Sequence, residues 1–390
     1  MSMPINPLRH AEPERQDPLK NPKKTGKIMV SSNAAWNLAN FRRPVIEALV
    51  AQGYEVIAAA PIDGNEQALK DMGATFRGLP MSGAGTSPSE DFRLLLDYIK
   101  LLRSERPAVF MGFTAKPNIY GSLAARLSGV PVIATISGLG SAFLRGGMLG
   151  RLLMGLYRTA LGGAKAVMFQ NPADRALFIG RKIVHAGQAR LVAGSGIDLT
   201  RFVPAMIPDD DQFRFLLIGR LLRDKGVEEF VDAARSLRPR YPNARFQLLG
   251  AGGGDNPSAV PQADLDRWAA ESIVEILGAR DDVRPPIAAS DCVVLPSYRE
   301  GLPRSLLEGA AMGRPLIASD VPGCRDVIDA GITGLLCDVR SAGSLADAME
   351  EMMLMSPAAR AAMGTAGRLK VEAEYDQRLV VDTYLTEIER

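Results

Sequence analysis

Four ionisable side chains in the second half of the chain are placed for work on a charged, hydroxyl-bearing substrate. Arg220 and Lys225 flank one short loop, and Glu300 and Glu308 stand about two helical turns apart around Gly301-Leu302-Pro303. An arginine grips a phosphate through two parallel hydrogen bonds, whereas a lysine acts as a mobile point charge. Carboxylates do not bind phosphate. Beside a phosphate site they accept hydrogen bonds from hydroxyls, as sugars and riboses provide. Taken singly, each pair also fits a solvated surface turn, so the reading depends on the elements that carry them.

Those elements are legible. Asp291-Cys292-Val293-Val294-Leu295 is apolar and β-branched, the pattern of a short buried strand. A turn rich in Pro, Ser and Gly follows, and a helix is expected from near Pro303, which suits a first helical position because its missing N–H has no partner there anyway. A strand, a loop and a helix N-terminus together offer free N–H groups and a positive dipole end to an anion. The strand Phe213–Ile218 runs likewise into Gly219 and Arg220, and on to Lys225 and Gly226 ahead of a helix from Val227.

The string Glu300-x7-Glu308 enclosing Gly301-Leu302-Pro303 resembles the donor-site motif of the retaining glycosyltransferases of family 4. The resemblance spans about residues 27–390. It implies the GT-B fold, an α/β architecture of two doubly wound Rossmann-like domains facing an interdomain cleft. It implies sugar transfer from a nucleotide-sugar to an acceptor hydroxyl with retained configuration. Arg220, Lys225 and Glu300 fall at the reacting centre. Gly219, Arg280, Gly301, Leu302, Pro303 and Glu308 are expected to hold the donor, with Glu308 on the ribose. No cofactor and no metal are expected, the nucleotide-sugar being a substrate. Asp209 and Asp211 have the D-x-D spacing of metal-dependent transferases but sit in a linker with no strand before them, and read as solvated turn residues.

The first half is expected to serve the acceptor. After the strand Lys27–Val30, a polar loop carries Asn33 and Asn37; it lacks the G-x-G-x-x-G fingerprint of dinucleotide sites. A helix is expected from Phe41 to Gln52. Lys116 and Asn118 follow the strand Ala108–Met111, and Ser137 follows the strand Val132–Ile136. Family members often place a histidine on a loop of this last kind, but here the histidines are His10 and His185. The Thr135-x-Ser137-Gly-Leu-Gly version resembles a bacterial subgroup that extends lipid-linked saccharides. The implied partners are a nucleotide-sugar, uridine diphosphate favoured over guanosine diphosphate, and a polyprenyl-diphosphate-linked saccharide, with no nucleic acid. The implied setting is polysaccharide or protein-glycan assembly. A sugar-nucleotide epimerase of the same fold and a non-catalytic nucleotide-binding scaffold are the competing readings.

Between residues 145 and 165, Leu149, Leu152, Leu153, Leu156, Ala160 and Leu161 share one helical face. Arg151, Arg158 and Lys165 form a basic stripe, in a stretch without acidic residues from Glu105 to Asp174. Such a helix either packs in the core with a solvated basic face or contacts an anionic membrane. The glycine run at 250–254 follows a strand but lacks the following helix at the correct offset and the acidic residue at a second strand's end that a dinucleotide site needs.

A chain of 390 residues suggests two domains. The expected division is a disordered tail at 1–26, an acceptor-side domain at 27–202, a linker at 203–212, a donor domain at 213–370, and a closing helix at 371–390 that crosses back to the first domain. The three cysteines, Cys292, Cys324 and Cys337, lack metal-type spacing, and Cys292 falls in a buried strand, as suits a reducing compartment. No apolar run is long enough to span a bilayer, and no signal-peptide core is evident at the start. The expected location is the cytoplasm, at the inner face of the membrane. Net charge is only +2, but the first half is basic and the second acidic, which supports an anionic partner for the first.

Overall fold

The computed structural model describes residues 26–81, 87–138, 147–208, 210–254 and 256–390. Most of the expected tail, Leu139–Phe143 of the segment after Ser137, and Asp209 lie outside them. The rest builds two parallel sheets. The first contains β1 (Lys27–Ser31), β2 (Glu55–Ala60), β3 (Thr75–Gly78), β4 (Val109–Gly112), β5 (Val132–Ile136), β6 (Ala166–Phe169) and β7 (Ala189–Leu191), in the order β3-β2-β1-β4-β5-β6-β7. The second contains β8 (Phe213–Ile218), β9 (Ala244–Leu249), β10 (Glu275–Gly278), β11 (Cys292–Leu295), β12 (Leu316–Ser319) and β13 (Gly334–Cys337), in the order β10-β9-β8-β11-β12-β13. This is the two-domain α/β architecture the motifs imply. β4, β5, β6, β11 and β12 are buried along their whole length, which explains their unbroken apolar sequences: helices cover both faces of each sheet. The edge strands β3 and β7 are short and partly exposed, and no sequence pattern announced them.

Both sheets reverse strand order at one place, between β1 and β4 and between β8 and β11. A crevice opens there at the strands' carboxyl ends, where open α/β sheets bind ligands. The loops after β8 and β11 carry the Arg220–Lys225 and Glu300–Glu308 groups, and those after β1 and β4 carry Asn33 and Lys116. The two switch points thus gather residues that are far apart in sequence.

The expected helix has an unexpected one before it. The segment Phe41–Gln52 is preceded by a helix at Ala35–Phe41, broken at Arg42 (φ −118°, ψ 3°), and a second helix runs over Arg43–Ala51. Pro44 is the cause. It has no N–H to give to the carbonyl of Asn40, four residues back, and its ring crowds that turn. The orphaned Asn40 carbonyl accepts instead from Nη1 of Arg304 in the second domain, at 3.0 Å.

The chain's last helices join the domains. Pro357–Glu374 packs on the second domain, the chain turns at Tyr375 and Asp376, and Gln377–Glu389 lies on the first. Val380, Tyr384 and Ile388 enter the first-domain core beside Ile46, Leu49 and Phe113. The Tyr384 hydroxyl lies 2.8 Å from that of Thr135 on β5. Among the described residues no helix is long and apolar enough to cross a membrane.

The 145–165 segment forms a helix at Gly147–Leu161, with Tyr157, Ala160 and Leu161 buried, but Leu152 is 60 % exposed, against expectation. The basic stripe is also largely committed elsewhere. Arg158 donates to the Lys182 and Arg181 carbonyls at 3.1 and 2.7 Å, and Lys165 to the Ile388 carbonyl at 2.9 Å. Each cation neutralises a helix C-terminus with unsatisfied carbonyls. Arg151 remains exposed.

Arg314 anchors the linker. Fully buried, it donates to the carbonyls of Ile287 and Ala288 in the second domain and of Ala205 and Met206 in the linker, at 2.8–2.9 Å. Substituting Arg314→Met leaves four carbonyls without their shared donor. We expect urea unfolding to show a loss of about 3 kcal/mol; an unchanged midpoint and slope would refute this role.

Candidate functional site

The site is assembled where β8 and β11 end side by side. Asp224, in the loop after β8, accepts through its carbonyl from the Tyr298 N–H at 2.9 Å and the Ser297 hydroxyl at 3.1 Å, in the loop after β11. The two loops are thereby fixed to each other. On this frame the Lys225 ammonium donates to Glu300 Oε1 at 2.5 Å, and both side chains are only partly exposed. An ammonium has three N–H groups, so Lys225 can hold Glu300 and still offer charge to an anion. Arg220, just past β8, is exposed, and its guanidinium has no partner among the described residues. Arg280 is exposed in the turn after β10. The glycine run has a packing role at its start: a Cβ on Gly250 would stand 1.8 Å from the Gly219 carbonyl oxygen, so β8 and β9 can close only around glycine.

The helix of the second motif spans Arg304–Ala311, with Pro303 as its cap residue, one position earlier than expected. Glu308 lies on its buried face and is 8 % exposed. Arg304 Nε donates to Glu308 Oε1 at 2.8 Å. Burial raises the Glu308 carboxyl above its ordinary range, against the opposing pull of Arg304. Arg304 also stacks over the Phe41 ring, at 5.2 Å, and reaches Asn40 as described, so the helix bearing Glu308 is tied to the first domain.

The two domains touch at Gly301. A Cβ on Gly301 would lie 2.2 Å from the Ser137 carbonyl oxygen, so only glycine admits the approach. Ser137 itself is exposed at the end of β5, its hydroxyl donating to the Phe113 carbonyl at 3.3 Å. The Asn33 N–H donates to the Thr114 hydroxyl at 2.9 Å, linking the loops after β1 and β4. Asn37 stands on the Ala35–Phe41 helix with its Oδ1 buried and unpartnered. The other two acceptor-side candidates are engaged within the domain. Lys116 pairs with Asp91 at 2.9 Å, and Asn118, 1 % exposed, donates to the Thr135 carbonyl at 2.8 Å. They shape the crevice from behind.

Sequence reasoning missed five residues. Arg42 is 3 % exposed and lies over the Phe113 ring at 4.6 Å, with Nε and Nη1 unpartnered; burial lowers its pKa. Arg304 was hidden inside a motif read for its glutamates. Asn171, Asp174 and Arg299 form a bridge between the domains: Arg299 pairs with Asp174, and Asn171 donates to the Gly301 carbonyl at 2.8 Å. Asn171 caps the helix Pro172–Gly180, and nothing local in the sequence signals its distant partner.

The chain is similar to known proteins in sequence and in fold. A family model for glycosyl transferases group 1 matches residues 212–354, and a glycosyl transferase 4-like domain model matches residues 39–194. The N,N'-diacetylbacillosaminyl-diphospho-undecaprenol alpha-1,3-N-acetylgalactosaminyltransferase of Campylobacter jejuni is 28% identical over 372 residues, covering 91% of this chain and 96% of the relative. An Escherichia coli UDP-Gal:alpha-D-GlcNAc-diphosphoundecaprenol alpha-1,3-galactosyltransferase is 26% identical, covering 67% and 70%. Among solved structures, Anabaena HepE in complex with UDP and glucose superposes with a TM-score of 0.76 at 17% identity, covering 93% of this chain and 99% of that one. Sucrose-phosphate synthase from Thermosynechococcus elongatus gives 0.76 at 20% identity, covering 93% and 98%.

A raised carboxyl in the folded protein favours folding with the proton on. Wild type therefore loses stability relative to Glu308→Gln as pH rises through the folded pKa, and the two converge as pH falls below the ordinary carboxylate range. We expect the melting-temperature advantage of E308Q to grow as pH rises above the ordinary carboxylate range. A difference that is flat with pH would show that Arg304 fully offsets the burial.

Proposed function

Because the chain belongs to the group 1 glycosyltransferases and carries a family 4-like first domain, we propose that it moves a hexosyl or N-acetylhexosaminyl group from a UDP-sugar to a hydroxyl of a polyprenyl-diphosphate-linked saccharide, with retention of configuration. The observation that carries this reading is the pairing of Lys225 with Glu300 at the second sheet's switch point, beside the unpartnered Arg220. The relatives that cover most or two thirds of the chain are named for undecaprenyl-diphosphate-linked acceptors, which supports the acceptor class.

In this mechanism the difficulty is charge. As the bond from the anomeric carbon to the diphosphate breaks, negative charge grows on the leaving oxygen. Arg220, Lys225 and the N–H groups at the start of the Arg304–Ala311 helix stabilise it electrostatically. They do so without a metal. Glu308 accepts from the ribose hydroxyls, and Glu300, held by Lys225, accepts from the transferred sugar. The acceptor hydroxyl enters from the first domain, past Asn33, Asn37 and Ser137, with Lys116 and Asn118 shaping the acceptor side, and attacks on the face the diphosphate leaves, its proton passing to the departing diphosphate oxygen. A lipid-linked acceptor places the enzyme at the cytoplasmic face of the membrane, and the exposed Arg151 is the member of the basic stripe available to anionic headgroups.

Purified protein should be stabilised in thermal-shift assays by UDP and not by GDP. It should also transfer radiolabelled sugar from a UDP-sugar to a polyprenyl-diphosphate-linked saccharide. Arg220→Ala and Lys225→Ala should each lower turnover by about 10²–10³-fold, with the melting temperature kept. Near-normal turnover in either folded variant would remove that residue from the mechanism.

A further inference from the structure

The loop entering the Arg304–Ala311 helix is held within its own domain by Asp224 and Pro322, and in part from the other domain. Its carbonyls are gripped by a side chain of the other domain. Asn171 caps the first-domain helix Pro172–Gly180, its Oδ1 accepting from the Asp174 N–H at 2.7 Å. Its Nδ2 donates to the Gly301 carbonyl at 2.8 Å and to Asp174 Oδ2 at 3.1 Å, and stands 3.4 Å from the Glu300 carbonyl. Asn171 is 1 % exposed and Asp174 fully buried. Asp174 pairs in turn with Arg299, the residue before Glu300. The amide is thus held on one side by its own helix and directed, on the other, at two successive peptide groups of the second domain.

The geometry of those peptides gives the contact its meaning. A trans peptide is planar, and its C=O and N–H point in opposite directions. Holding the Gly301 carbonyl on Asn171 turns the Leu302 N–H away from the first-domain helix. Holding the Glu300 carbonyl does the same for the Gly301 N–H. Neither N–H donates a hydrogen bond among the described residues. Both belong to the stretch entering the helix that carries Glu308, next to the Lys225–Glu300 pair.

We propose that Asn171 is a positioning residue for the transfer reaction: from the first domain it aims the Gly301 and Leu302 N–H groups of the second at the donor diphosphate, with Asp174 and Arg299 holding it in place. This rests on the nucleotide-sugar reading above. The anion site is then complete only while the domains are together. Parting them withdraws the Asn171 amide, and the loop's N–H groups lose their direction. Preorganised donors of this kind act on the departing charge without reorganising during the reaction, so losing their direction costs turnover and phosphate binding together.

Asn171→Ser tests this. Serine is as good a cap as asparagine, so the helix keeps its start, but the short hydroxyl cannot reach Gly301. We expect Asn171→Ser to lower kcat by 10–100-fold and to weaken UDP binding at least fivefold by calorimetry, with uridine affinity within twofold of wild type, because uridine carries no phosphate. Arg299→Gln leaves the cap untouched and releases only its support; it should show the same split at smaller size, two- to tenfold. If UDP and uridine affinities fall together, Asn171 is merely structural and the proposal fails. It fails also if wild type binds UDP and both variants retain its affinity and turnover. A wild type that binds no UDP overturns the nucleotide-sugar reading, and this proposal with it.

Discussion

The backbone of Gly301 rests against the carbonyl of Ser137, and the rest of the site follows from that contact. No side chain fits between them. The carboxyl end of β5 in one sheet and the loop after β11 in the other therefore meet as bare main chain. Around this contact the polar groups sort themselves: Asn171 and Arg299 with Asp174 on one flank, Arg304 with Asn40 on another, and the Lys225–Glu300 pair beside them. None of these would be worth much as an exposed surface pair. Packed into a cleft between two domains, and partly shielded from water, they fix directions as well as supply attraction.

The proposed chemistry would give a use to an unfavourable arrangement at the site. Glu308 is buried enough that its charged form is disfavoured, and Arg304 offsets only part of this. A neutral residue would pack there at lower cost. A carboxylate waiting for hydroxyl donors has a use for that position, and enzymes commonly carry such local instability where they bind or react. Arg42, buried with two unpartnered nitrogens on the face of Phe113, is a second departure of the same type.

Much of the fold could be read in advance because parallel strands buried on both faces write themselves as short apolar runs, and loops at their carboxyl ends as glycine, proline and polar residues. The loops that carry the donor-side candidates were legible for the same reason: each follows a strand. What escaped was set by distance or by context. Asn171 and Glu300 lie in different domains, so no local pattern joins them. The stripe of Arg151, Arg158 and Lys165 showed which side chains share a face, but could not show that carbonyls of two other helix ends lie beneath two of them. The strands β3 and β7 were too short and too exposed to write a pattern. Pro44 was in plain view, yet its effect depends on which partner takes the carbonyl it frees.

That freed carbonyl bears on how such proteins can be recombined. A two-domain enzyme invites chimeras that take the acceptor half from one relative and the donor half from another. Here a proline in the first half frees an acceptor that an arginine in the second half satisfies. The two positions behave as a lock and key split across the crossover point. A hybrid that inherits Pro44 without Arg304 keeps an unsatisfied carbonyl at the seam, and one that inherits Arg304 without Pro44 brings a guanidinium to a helix that has already used its own bond. Interchangeability of the halves is therefore decided less by their active-site motifs than by a helix break far from either glutamate in the sequence.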